Sequence, residues 1–191
     1  YTLQSREQTD PAVFAVEDFH TGSLSDAVAS ARPGAVIGYD ARLLSPEHVG
    51  RLEAAARSAG VTLKAVSPNP LDLAWGADRP AQPMAKIVPQ PLEYAGRASA
   101  DKRAEIAQAL KNHGIAAALI TAPSSLAWLF NIRGGDVIRS PLPLGQTLLK
   151  NDGSAELFIE PAKISDGLLA WLGNTVAVKA PGEVEASLAA F

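Results

Sequence analysis

The residues able to do chemistry are three histidines, a scatter of acids, a serine pair and one Arg-Gly-Gly-Asp turn. His20, His48 and His113 stand far apart, with no i, i+4 pairing and no His-Glu-x-x-His pattern of the kind that holds a metal. Ser124-Ser125 lacks the glycines of a nucleophile elbow, and no neighbouring His could act as its base. Gly134-Gly135 is not followed by Lys-Ser/Thr, so it is no phosphate loop. Asp18, Asp40, Asp72, Asp101, Asp136 and Asp166 are dispersed, with no local pair placed for acid–base work. No cysteine is present, which removes disulfides and thiolate chemistry. The spacing predicts no catalytic residue and no metal ligand set in this chain.

One stretch organises the rest. Ser124 to Asp136 runs Ser-Ser-Leu-Ala-Trp-Leu-Phe-Asn-Ile-Arg-Gly-Gly-Asp. An apolar element that ends on Arg-Gly-Gly-Asp must turn sharply, and Gly134 and Gly135 are expected to take positive φ there. The turn would deliver Arg133 and Asp136 to one end of the element, where guanidinium and carboxylate can meet each other or a ligand. A local ion pair fixing the turn is the alternative. Ser124 reads as a helix cap, His113 as a group favouring a helix C-terminus, and His48 as solvated. Trp75, Trp128 and Trp171 read as core or interface anchors rather than a stacking platform, since few basic residues interleave with them.

The elements that must position this stretch follow an α/β rhythm. Tyr1–Gln4 and Val13–Val16 read as short extended pieces. Ser23 opens a helix with Leu24, Ala27, Val28 and Ala31 on one face. Ala35–Tyr39 is a strand, and Ser45-Pro46 starts a helix that Gly60 stops. Val61–Val66 is the next strand. Prolines 68, 70, 80, 83, 89 and 91 then make a stiff connector, with a domain boundary at about residue 90. Beyond it, Ser99 caps a helix carrying Ile106 and Leu110, Ala116–Thr121 is a strand, and Pro123–Phe130 is a short helix. Asn151-Asp152-Gly153 joins a hairpin, Ile164–Leu172 is helical and Thr175–Lys179 is a strand. The second strand of the hairpin, a helix and a strand echo Val13 to Tyr39, a weak internal repeat.

Composition sets the outer limits. The 191 residues are 47% hydrophobic and 19% charged, with net charge −3, an ordinary globular balance with no basic excess for nucleic acid. No window has the apolar length of a membrane span, and the first residues lack a signal-peptide pattern. The chain opens without Met on what reads as a strand, as a piece of something longer would.

In order along the chain come Tyr1-Thr2-Leu3-Gln4, Ile37-Gly38-Tyr39-Asp40 with Arg42, and Trp75 followed by Asp78-Arg79-Pro80 and Pro83. Tyr94-Ala95-Gly96 with Lys102, and then Ala127 to Asp136, complete the set. This series resembles the N-terminal region of a three-domain aminopeptidase P, a Xaa-Pro aminopeptidase of the creatinase/prolidase superfamily. The resemblance covers nearly the whole chain. It implies two tandem creatinase-N-like α/β domains with mixed sheets, residues 1–90 (the first domain, lacking its beginning, plus the connector) and 91–191. It implies a C-terminal pita-bread catalytic domain, absent here, that holds two divalent metals, usually manganese. No metal ligand carries over to this sequence.

Enzymes of that family remove an N-terminal residue that precedes proline. Their N-terminal domains cover the cleft, limit it to short peptides and support dimer contacts. The expected partners are therefore the chain's own catalytic domain, a second copy, and short proline-containing peptides, in the cytoplasm, with no nucleic acid and no membrane. Arg133 and Asp136 are the expected substrate-facing residues. The alternatives are a stand-alone α/β ligand-binding module, or the N-terminal region of another pita-bread enzyme such as a prolidase or creatinase.

Overall fold

The computed structural model describes residues 1–18 and 22–191; His20 lies outside the described residues. The chain divides into two compact units, Tyr1–Pro80 and Ala81–Phe191.

In the first unit, α1 spans Thr2–Gln8, where a strand is expected. The four-residue alternation is outweighed by the run that continues it: Leu, Gln, Arg and Glu favour helix, and the Gln4 amide donates to Gln8 Oε1 at 3.2 Å, one turn on. Val13–Val16 is also not a strand, because the amides of Val13 and Phe14 turn back to the Asp10 carbonyl. The expected repeat therefore lacks its first strand.

Helix α2 (Leu24–Ala29) starts at Ser23 as expected, with a capping box in which Ser23 and Asp26 satisfy each other's backbone amides. Of its predicted apolar face, Val28 is buried and Leu24 is exposed. Strand β1 (Val36–Tyr39), helix α3 (Pro46–Ala59) and strand β2 (Thr62–Ala65) form a parallel β-α-β unit in which Val36 pairs with Thr62. Ser45 caps α3 by accepting from the His48 amide, and Gly60 ends it at φ 66°. The Ser45 hydroxyl also meets His48 Nδ1 at 2.8 Å. Leu52 and Ala56 of α3 pack with Val28 and Val61 as this unit's core. Helix α4 (Pro70–Trp75) is capped by Asn69, whose amide group also donates to Asp40 at 2.9 Å.

The second unit carries the larger core. Its elements are β3 (Val88–Pro89), α5 (Leu92–Ala95), α6 (Ser99–Asn112), β4 (Ala117–Ile120), α7 (Pro123–Phe130) and β5 (Ile132–Arg133). Then follow β6 (Gln146–Lys150), β7 (Ala155–Phe158), a 3-10 turn (Pro161–Lys163), α8 (Leu168–Leu172), β8 (Val176–Lys179) and α9 (Val184–Leu188). Four strands make a mixed sheet in the order β4-β6-β7-β8, antiparallel except for the parallel β7–β8 edge. Strands β3 and β5 form a separate antiparallel pair.

The hairpin falls where Asn-Asp-Gly placed it. Gly153 adopts φ 87°, and Asp152 Oδ1 accepts from the Ser154 amide at 2.8 Å. The helix expected over Ile164–Leu172 is shorter, beginning at Leu168 after Gly167 at φ 78°. Phe130, Leu126, Leu129, Ile132, Leu157 and Leu168 are all within 1% of complete burial. Each such side chain contributes about 1.5–3 kcal/mol. The α/β class is borne out, and the heaviest part of the core is built around α7 and the residues that follow it.

Candidate functional site

Helix α7 spans Pro123–Phe130 as the sequence indicates, but Ser124 is not its cap. Ala122 holds that position and Pro123 takes the first helical place, where its fixed φ suits the helix and its missing N–H costs nothing. Ser99 is likewise the first residue of α6 rather than its cap, which is Ala98.

The turn after α7 is made differently from the sequence expectation. Asn131, at φ 50°, takes the left-handed conformation that ends the helix, while Gly134 and Gly135 are not at positive φ. Gly134 is required for space. A Cβ there would sit 2.8 Å from Pro143 Cα, a backbone atom that cannot swing aside. The Asn131 side chain locks the corner from two directions: its Nδ2 donates to the Arg97 carbonyl at 2.8 Å, and its Oδ1 accepts from Lys102 Nζ at 2.6 Å.

Arg133 and Asp136 are not joined to each other by a hydrogen bond or ion pair among the described residues. Arg133 is half-buried, and its Nη1 donates to the carbonyls of Ile132 at 2.8 Å and Ala127 at 3.4 Å. Asp136 turns inward. Its side chain is fully buried and its Oδ2 meets Lys163 Nζ at 2.7 Å. The same carboxylate accepts the backbone amides of Leu144 at 2.7 Å and Ala85 at 3.2 Å. Lys163 completes its shell on the Leu144 carbonyl at 3.1 Å. Asp136 thus ties three separate segments to one lysine.

Lysine 102, almost fully buried on α6, donates to the Trp128 carbonyl at 2.8 Å and lies 4.5 Å from the centre of the Trp128 ring. No carboxylate pairs with it among the described residues. Burial, then the charges of Arg133 and Arg97, hold its pKa below the usual lysine value. Lys102 and Arg133 both donate to carbonyls in the last turn of α7, whose partial negative charge they oppose. Neither Lys102 nor Lys163 stood out in sequence as a chemical residue. Arg103 left a signal, since it extends the Ile106, Ala107, Leu110 stripe backwards along α6, where an apolar residue is the default.

A second acid, the half-buried Glu156 on β7, is clasped by Lys150 and Lys179, each at 2.9 Å. The Lys150 hydrogen bond, then that of Lys179, hold its pKa down at about 2. The tryptophans are not core anchors: Trp75, Trp128 and Trp171 are 54%, 48% and 37% exposed. Trp171 is nevertheless fixed, its indole N–H donating to the Phe130 carbonyl at 3.0 Å. Among the described residues no three His, Asp or Glu side chains converge, and the carboxylates of Asp136 and Glu156 are already neutralised by lysines. These residues do not fit a divalent metal pair. Nor is any helix among the described residues long and apolar enough to cross a membrane.

Comparison with known proteins places this architecture. Residues 78–191 match the Creatinase/Prolidase N-terminal domain, a range that takes in the whole second unit. The "Probable Xaa-Pro aminopeptidase P" of Coccidioides posadasii is 32% identical over 149 residues, covering 78% of this chain and 23% of that protein. The protein of the same description from Neosartorya fischeri is 34% identical, with the same coverage. The chain therefore spans about a quarter of the length of the curated relatives it matches. Among solved structures, the X-prolyl aminopeptidase of Caenorhabditis elegans, a cytosolic enzyme with a di-nuclear active site, shares the fold. That likeness has a TM-score of 0.77 at 24% identity and covers 96% of this chain and 28% of the other. On the match across more than half its length, the chain belongs to the Creatinase/Prolidase N-terminal domain family.

Proposed function

We propose that this chain is the non-catalytic N-terminal region of a metal-dependent Xaa-Pro aminopeptidase, which removes an N-terminal residue preceding proline. The observation that carries this reading is the match to relatives of that description, of which the chain covers about a quarter. The chemistry agrees, because the carboxylates of Asp136 and Glu156 are held by lysines of this chain. Catalysis, and the two divalent metals that serve it (manganese in this reading), belong to a C-terminal domain of the longer protein. The cytosolic description of the solved relative supports a cytoplasmic setting.

The region's role in this reading is to shape the approach to the catalytic cleft, limit it to short peptides and support a homodimer. Arg133 is the residue facing the peptide or the catalytic domain. Its guanidinium is half-buried, has no carboxylate partner among the described residues, and is held by carbonyls rather than by an opposing charge. Asp136 contributes indirectly: buried on Lys163, it fixes the turn that presents Arg133. The exposed Ile138, two residues beyond Asp136, suits a contact with another domain. The test is Arg133→Ala in the longer polypeptide, assayed on short proline-containing peptides. A raised KM supports the role given to Arg133, and unchanged kinetics with lowered stability removes it.

A further inference from the structure

The guanidinium of Arg133 is fixed on one side and open on the other. Its Nη1 donates to the carbonyls of Ile132 at 2.8 Å and Ala127 at 3.4 Å. Its Nε and Nη2 make no hydrogen bond among the described residues. Neither is sealed from water, because the one buried side-chain polar atom without a partner there is Arg103 Nε. Nε and Nη2 form the side-on edge of the guanidinium, two parallel N–H groups spaced for the two oxygens of a carboxylate. Held through Nη1, that edge is set in place before any ligand arrives, which lowers the ordering cost of binding.

The surroundings favour an anion. The charges of Arg133 and Arg97 both bear on the buried Lys102, so three cations share this corner. Among the described residues the one ion pair they make is Arg97 with Glu105, which leaves the corner a positive excess. Val88 stands opposite Arg133 across the β3–β5 ribbon, which puts both side chains on one face, and Val88 is 47% exposed. Apolar ground beside a guanidinium displaces water and strengthens a hydrogen-bonded ion pair made there. A purely structural role, holding the corner after α7, accounts for Nη1 and leaves the outer edge unused.

We propose that the Nε/Nη2 edge of Arg133 binds a carboxylate side-on, with Val88 beside the apolar part of the group that bears it. The carboxylate comes either from the C-terminus of a short peptide substrate or from an Asp or Glu of the longer protein outside these residues. The peptide source rests on the reading of this chain as part of a Xaa-Pro aminopeptidase, and the second source does not. A peptide anchored at its C-terminus must span a fixed distance to the scissile bond, which would give the limit to short peptides a physical basis.

The test uses the longer polypeptide as wild type, Arg133→Ala and Arg133→Glu, assayed on one proline-containing tripeptide as its free acid and as its C-terminal carboxamide. A carboxylate partner penalises a reversed charge beyond a deleted one. Arg133→Glu should therefore raise KM for the acid about tenfold or more beyond Arg133→Ala. With the peptide as source, the wild type prefers acid over amide by about tenfold in KM. That preference should vanish in Arg133→Ala and invert in Arg133→Glu. With the longer chain as source, acid and amide lose alike, and the melting temperature falls in the order wild type, Arg133→Ala, Arg133→Glu. Equal KM values and equal melting for the Ala and Glu variants overturn the proposal. A wild type inactive on both peptides removes the peptidase reading and the peptide source with it. The melting order then decides the second source, a graded fall supporting it and a flat one overturning it. Should Arg133→Glu fail to fold, Arg133→Gln against Arg133→Lys gives the same comparison of charge.

Discussion

The carboxylate of Asp136 and the ammonium of Lys163, 27 residues apart in sequence, meet at 2.7 Å with both side chains essentially sealed from water. Asp136 also takes the amides of Ala85 and Leu144. The pair therefore joins the strand-entry segment before β3, the loop before β6 and the 3-10 turn after β7 at one point. Removing either partner leaves a buried charge unpaired, at a cost of about 3–5 kcal/mol. Asp136→Asn and Lys163→Met should each destabilise the chain on that scale in urea unfolding. The double variant should cost less than the sum of the two, with a coupling of about 1–3 kcal/mol. Additive losses would show that the pair does not act as a unit.

Gly134 is predicted to resist even alanine, since the added Cβ would press on the Pro143 backbone. Gly134→Ala should lower stability by about 1–3 kcal/mol, the usual cost of overpacking. Gly135→Ala should cost less, because its Cβ would meet the Ala85 methyl at 3.2 Å. Thermal unfolding of the two variants side by side checks the order.

Stability should fall in acid through Glu156. Its pKa drops from 4.5 to about 2 on folding, so the folded state favours the ionised form. That stabilisation is fully present above about pH 4.5 and is lost as pH falls toward 2. The partner lysines are about 30% exposed, which screens the pair and sets the contribution at about 2 kcal/mol or less. Glu156→Gln should flatten the acid limb of a stability–pH curve between those values. An unchanged limb would place the acid sensitivity elsewhere.

In the longer polypeptide, Arg133→Ala is expected to raise KM for short proline-containing peptides about tenfold with kcat little changed, the pattern of lost ground-state binding. Arg133→Lys should recover only part, because an ammonium cannot reproduce the planar fork. Equal kinetics for all three forms would confine Arg133 to holding the α7 corner.

The elements legible in sequence were those with strong local punctuation. Ser45-Pro46 and Gly60 bracket α3, Pro123 opens α7, and Asn-Asp-Gly marks the hairpin. Where the signal is weak, short alternation misleads: Tyr1–Gln4 alternates like a strand yet leads into helix α1, and Val13–Val16 is not a strand. The special residues of the Arg-Gly-Gly-Asp turn were visible, but their partners were not. Asp136 turns to Lys163, 27 residues on, a contact that no local spacing encodes, while Arg133 turns back to the nearby carbonyls of Ile132 and Ala127 instead of to Asp136. Positive φ fell on Asn131 rather than on the glycines, because the helix ends there and Gly134 is needed for room. Arg103 alone carried a readable anomaly, a cation in an apolar stripe.

The most direct test of the proposed function is to isolate the native polypeptide carrying this sequence, weigh it, and assay it on Xaa-Pro peptides with added manganese and after chelation. The account predicts a chain several-fold heavier than 19.9 kDa that releases the residue before proline and loses this activity when metal is removed. A sole species of 19.9 kDa, or a longer chain inactive on such peptides with metal supplied, would contradict it.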